Sequence, residues 1–176
     1  MRGPGLLVAL ALAGCGGGKV GMQPPPGDAM LVLGGAVASD GSGYVALGGD
    51  QTLVPGAQGG FHVWLKYRVA GMAPETVHVH RETHRVSDDA LVLLADGTQD
   101  VGAVDPANDG WWELPKALPS FMCPTPIGIS VIDQRIVFEV TLTTLDGAPL
   151  AKSTAEVTVH CPDGDQAAFC AKICSG

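Results

Sequence analysis

The chain has 176 residues, which fits one domain of ordinary size with short terminal additions. Its 25 glycines and 13 prolines are more than the interiors of a helical bundle tolerate, so frequent turns are expected. Ten basic against eighteen acidic side chains, a net charge of −8, disfavour a nucleic-acid partner, because phosphate binding needs a positive footprint.

Residues 1–14 read as a targeting segment. Arg2 gives the positive end, positions 6–13 an apolar run too short to span a bilayer, and small residues precede Cys15. The stretch Leu12-Ala13-Gly14-Cys15 resembles the lipobox of bacterial lipoproteins. That resemblance implies cleavage before Cys15, lipidation of its thiol, and contact with the membrane through the lipid anchor. Gly16 after the cysteine then implies the outer membrane of the cell envelope. Residues 15–29, with Gly16-Gly17-Gly18 and Pro24-Pro25-Pro26, have the composition of a flexible tether.

The rest is patterned as β structure over 30–162. Strands are expected at 30–37 and 44–47. At 61–69, Phe61, Val63, Leu65, Tyr67 and Val69 alternate with His62, Trp64, Lys66 and Arg68. The 71–75 loop leads to a strand at 76–86, with which 61–69 is expected to form a hairpin. A short strand at 90–95 closes at Asp96-Gly97, and 100–110 is an acidic loop whose spacing is not that of a helix-loop-helix calcium site. A further strand is expected near 127–132. The clearest pair is 134–145 with 151–161, joined through Asp146-Gly147. About seven amphipathic strands predict an all-β, two-sheet antiparallel sandwich, because each sheet must cover its apolar face with the other. The run Gly59-Gly60-Phe61-His62-Val63-Trp64-Leu65, the Trp111-Trp112-Glu113-Leu114-Pro115 stretch and the closing hairpin resemble the immunoglobulin-like domains of bacterial lipoproteins. The resemblance implies that fold and no activity.

With Cys15 assigned to lipid, Cys123, Cys161, Cys170 and Cys174 remain, an even number that argues for two disulfides in an exported protein. Positions 163–176 form a tail of helical spacing, which puts Cys170 and Cys174 on one face. Three pairings are possible. The preferred one sends each tail cysteine to a body cysteine, Cys123 or Cys161, and so pins the carboxyl terminus. A zinc site of four thiolates is the alternative, although the spacing is not that of a zinc ribbon.

One constellation has metal-ligating chemistry. On a strand His78, His80, Glu82 and His84 share a face at steps of about 6.6 Å. A hairpin would bring His62 beside them, and neutral imidazoles suit copper or zinc. The order His80-Arg81-Glu82-Thr83-His84 is not the helical zinc-peptidase motif. A solvated polar face is the simpler account of it. Trp64 and Trp112 are candidate binding residues, although one at least of Trp111 and Trp112 is expected to pack inward. No Gly-x-Ser-x-Gly elbow or phosphate loop is present. The expectation is therefore a non-enzymatic, lipid-anchored envelope module that binds an envelope partner and needs no cofactor, with copper or zinc binding as the alternative.

Overall fold

The computed structural model describes residues 29–125 and 128–176. The expected signal segment, Cys15, the tether up to residue 28 and positions 126 and 127 lie outside them. In chain order the strands are β1 Met30–Gly35, β2 Val45–Ala46, β3 Gly49–Thr52, β4 Val54–Pro55, β5 Phe61–Ala70, β6 Glu75–Arg85, β7 Ala90–Val101, β8 Trp112–Glu113, β9 Leu118–Cys123, β10 Arg135–Thr143 and β11 Pro149–His160; helix α1 is Ala167–Cys174. They form a sandwich-like all-β fold of two sheets. The first centres on β5, flanked by β1 with β2, by β4, and by β8 and β9; the second runs β3-β11-β10-β6-β7. Inward residues of both sheets, among them Phe61, Tyr67, Ile136, Phe138 and Val157, join one core.

The alternation of β5 is present as read, but its partner is not β6. The two strands lie in different sheets, so the expected hairpin of 61–69 with 76–86 is corrected to an arch across the sandwich. The reason is that β5 is covered on both faces. Its odd positions fill the inter-sheet core, and even positions His62 and Lys66 are buried too. A half-exposed hairpin strand would leave that second face wet.

Three further expectations change. Strand β7 does not stop at Asp96-Gly97 but continues to Val101, because β6 offers partners along its whole length, from Arg85↔Ala90 to Glu75↔Val101. Continuous pairing outweighs the local turn preference of Asp-Gly. Residues 128–132 form no strand; Val131 is buried and its N–H donates to the Cys174 carbonyl, so the segment packs as a loop beneath the tail. The described residues hold eleven strands rather than seven, and β3 pairs parallel to β11, so the second sheet is mixed rather than antiparallel throughout. Segment 49–52, Gly-Asp-Gln-Thr, carries no apolar period that could announce a strand.

The expected closing hairpin is present as β10–β11, with Ile136 paired to Val157 and Phe138 to Ala155. The tail is helical, and Cys170 and Cys174 lie buried on one face of α1. The bridges are Cys123–Cys174 and Cys161–Cys170, each joining the tail to the body as preferred from the sequence.

Candidate functional site

The outer face of the first sheet is built by the even residues of β5. At one end Lys66 Nζ donates to Glu113 Oε1 at 2.5 Å, and Arg68 Nε and Nη2 both donate to Glu113 Oε2, at 2.9 and 2.7 Å. The Arg68 guanidinium lies 3.8 Å from the centre of the Tyr44 ring, a cation–π contact. Burial alone would raise the Glu113 carboxyl, but the hydrogen bonds from Lys66 and Arg68 outweigh it and hold the carboxyl below its ordinary value.

At the other end His62 packs against Trp64, with ring centres 4.3 Å apart, and against Phe121 at 5.6 Å. Both ring nitrogens of His62 are buried with no hydrogen-bond partner among the described residues. Burial pushes its imidazole below the usual value, so the ring is kept neutral. The Trp64 indole N–H donates to the Ser39 carbonyl and pins the 36–41 segment. Gly41, at φ +85°, lies against that ring, with Ala117 pressing from another side.

Beside this cluster the first sheet divides. Strand β1 pairs with residues 66–70 of β5, and β4 pairs with 61 and 62. On that edge residues 63–65 therefore have no strand partner, and a cleft of about 280 Å³ opens there. Its walls are Ala36 to Ser39 on one side and Gln51, Thr52 and Val54 on the other, with Val63 and Trp64 as the floor. The lining carries no charged side chain. A wider depression of about 560 Å³, lined by Ala29, Met72, Glu75 and Leu150, sits where β1 begins but is more open and has neither an aromatic floor nor an interrupted ladder.

The outer face of the second sheet carries a chain of imidazoles and carboxylates. His80 Nδ1 lies 2.6 Å from Asp96 Oδ1, and its Nε2 lies 2.9 Å from Glu82 Oε1. His84 Nε2 lies 3.3 Å from the other oxygen of Glu82, and its Nδ1 lies 3.2 Å from the Asp89 carbonyl. At the sheet's other edge His160 bridges Asp133 at 2.7 Å and Asp50 at 3.3 Å. Hydrogen bonds to Asp96 and then Glu82 raise His80, and those to Asp133 and then Asp50 raise His160. For His84 burial pulls downward, but its bonds to Asp89 and Glu82 prevail and raise it.

A histidine whose value rises on folding stabilises the fold below its unfolded value and loses that contribution as pH climbs through the raised value. The His80→Gln, His160→Gln double variant should therefore melt further below the wild type at about pH 6 than at about pH 8.5. Equal deficits at the two pH values would show that these imidazoles are not linked to folding. His62 has the opposite sign, and its burial costs stability as the medium acidifies.

The structure brings His80, Glu82 and His84 together, with His78 exposed further along β6 on the same face. It does not bring His62 to them, because β5 belongs to the other sheet. Among the described residues no group of three or more His, Cys, Asp or Glu side chains is arranged to hold a metal ion. Glu82 separates the two imidazoles that approach it, each meeting a different oxygen. Trp64 lines the cleft, whereas Trp112 is half-buried and packs 6.2 Å from the Tyr67 ring. Sequence reasoning missed Glu113, Tyr44 and His160. Two cations on one strand face, Lys66 and Arg68, were the available signal that a carboxylate must cover them. No protein-family model matches the chain, and no curated protein is significantly similar to it.

Proposed function

We propose that the chain is a lipid-anchored lipoprotein of the bacterial envelope, outer-membrane in location, whose immunoglobulin-like domain binds an extended segment of a partner protein in the cleft beside Trp64. The reading is of a binding module, not an enzyme. The observation that carries it is the interrupted ladder of β5. On that edge β5 has no strand partner at residues 63–65, beside a cleft with an aromatic floor, and a segment added there would pair with β5 while one of its side chains fills the cleft. Its volume falls just below the range of about 300–1,000 Å³ usual for pockets that enclose small-molecule ligands, which favours a single side chain as occupant. The uncharged lining favours an apolar or neutral one. The two disulfides support an oxidising compartment, and the lipobox supports the anchor.

The reading is tested in cells with a photo-crosslinking residue at Gln51. One discrete adduct should form, and Trp64→Ala should abolish it. Cys15→Ser should move the chain out of the membrane fraction. An adduct that survives Trp64→Ala would remove the cleft from the reading, and an unchanged membrane fraction for Cys15→Ser would remove the anchor. The copper or zinc alternative has no such support, since His80 and His84 meet Glu82 from opposite oxygens rather than converging.

A further inference from the structure

We infer that the two disulfides form a relay: a dithiol that opens Cys161–Cys170 frees a Cys170 thiolate, which then takes Cys174 away from Cys123. The bridges are Cys161–Cys170 and Cys123–Cys174, and the two sulfurs carried by α1, Cys170 Sγ and Cys174 Sγ, lie 3.7 Å apart. Sulfurs of different bridges are thus in contact. Their i, i+4 spacing on one helix face brings them there, and both residues are fully enclosed.

Access to the four cysteines is graded. Cys123, Cys170 and Cys174 are buried, whereas Cys161, just past the end of β11, is partly exposed. A dissolved thiolate therefore meets Cys161 Sγ first. Its attack there forms a mixed disulfide, breaks the Cys161–Cys170 bond and leaves the electron pair on Cys170 Sγ. That thiolate already touches Cys174 Sγ. Attacking it, Cys170 forms a Cys170–Cys174 bond, and the Cys123–Cys174 bond breaks with its electron pair passing to Cys123, which takes a proton. The second thiol of the reductant closes on the first and releases Cys161 as a thiol. One dithiol is oxidised and one protein disulfide is lost. The bridge that remains lies within α1, where helical geometry sets the two Cα atoms about 6.2 Å apart, inside the span a disulfide accepts.

Two independent bridges would need four electrons to release the tail, and the relay needs two. Both ties then go together, the one from α1 to β9 and the one from α1 to the end of β11. The tail so released is the segment whose Phe169 ring lies 6.0 Å from that of Phe61 and whose Cys174 carbonyl accepts from Val131 N–H. None of these cysteines lines the cleft at Trp64, so the relay stands or falls separately from the proposed partner binding.

The test is a disulfide map of the folded chain after limited treatment with dithiothreitol at about pH 8, where free thiols are partly ionised, followed by excess N-ethylmaleimide. Trypsin cuts after Lys116, Arg135, Lys152 and Lys172, so Cys123, the pair Cys161 with Cys170, and Cys174 fall on three separate peptides. The first product should join peptide 173–176 to peptide 153–172 through Cys170, with maleimide on Cys161 and Cys123. In the Cys161→Ala, Cys170→Ala double variant, maleimide should reach Cys123 about tenfold more slowly than in the wild type, because a sulfur held in contact outpaces a dissolved one. Loss of a bridge loosens the tail, so a merely structural effect would change that rate in the opposite direction. Should the variant fail to fold, the wild-type map decides alone. A first product in which either bridge has opened while the other keeps its native pairing overturns the relay, as does a Cys123 rate undiminished in the variant. Bridges that resist dithiothreitol in the folded chain overturn the entry at Cys161.

Discussion

Replacing Glu113 by Gln is expected to lower the unfolding free energy by about 3 kcal/mol at neutral pH, the lower end of the range for removing one partner of a buried ion pair. The change is nearly isosteric, so the loss is electrostatic. Glu113 alone neutralises both Lys66 and Arg68, and the Lys66 side chain is only 4% exposed while Glu113 keeps 24% of its own. Without the carboxylate an ammonium stays enclosed with no counter-charge. The lower end of the range applies because Glu113 is partly reached by water, which screens it. Adding Lys66→Met should recover much of the loss, since an apolar side chain needs no counter-charge. Urea unfolding of the single and double variants measures both effects. A single variant as stable as the wild type would mean that water already screens Lys66. The acid dependence has a definite sign: a carboxyl held below its ordinary value stabilises the fold above its unfolded value and loses that contribution as pH falls through its folded one.

The second large effect is expected at the disulfides, and the two bridges should differ. Cys123–Cys174 closes a separation of 51 residues, whereas Cys161–Cys170 closes 9. Chain-entropy scaling gives about 4 kcal/mol for the first and about 2.5 kcal/mol for the second. The paired variants Cys123→Ala with Cys174→Ala, and Cys161→Ala with Cys170→Ala, are compared by the same unfolding measurement. The first pair also removes the covalent tie between α1 and β9 of the first sheet, while the second leaves that tie in place. Equal losses for the two pairs would show that the bridges act through native packing rather than through the unfolded chain.

What was legible in the sequence was whatever a single strand or helix can report about itself. The period of two in 61–69 located β5, the alternation in 134–145 and 151–161 located the last hairpin, and the spacing of Cys170 and Cys174 put both on one face of α1. Which strands pair depends on burial of the opposite face, and that is where reading failed. His62 and Lys66 look solvent-facing in the pattern, yet both are buried, His62 against the Trp64 and Phe121 rings and Lys66 against the Glu113 carboxylate. The cleft was hidden for the same reason. Its walls come from 36–39 and 51–54, its floor from 63 and 64, and no local periodicity links them. Trp64 was singled out as a binding residue without any view of the gap that it lines. The Asp96-Gly97 pair was misleading because a turn signal yields when a neighbouring strand supplies partners on both sides of it.

The register between β1 and β5 has a mechanical consequence. The chain enters the sandwich at Met30, opposite Ala70, and the ladder runs from there to Gly34↔Lys66, just short of Trp64. Tension applied between that point of arrival and a molecule gripped at Trp64 acts lengthwise along the antiparallel ladder. Its main-chain bonds are then loaded together in shear instead of being peeled one after another, and shear is the direction in which a pair of strands resists pulling best.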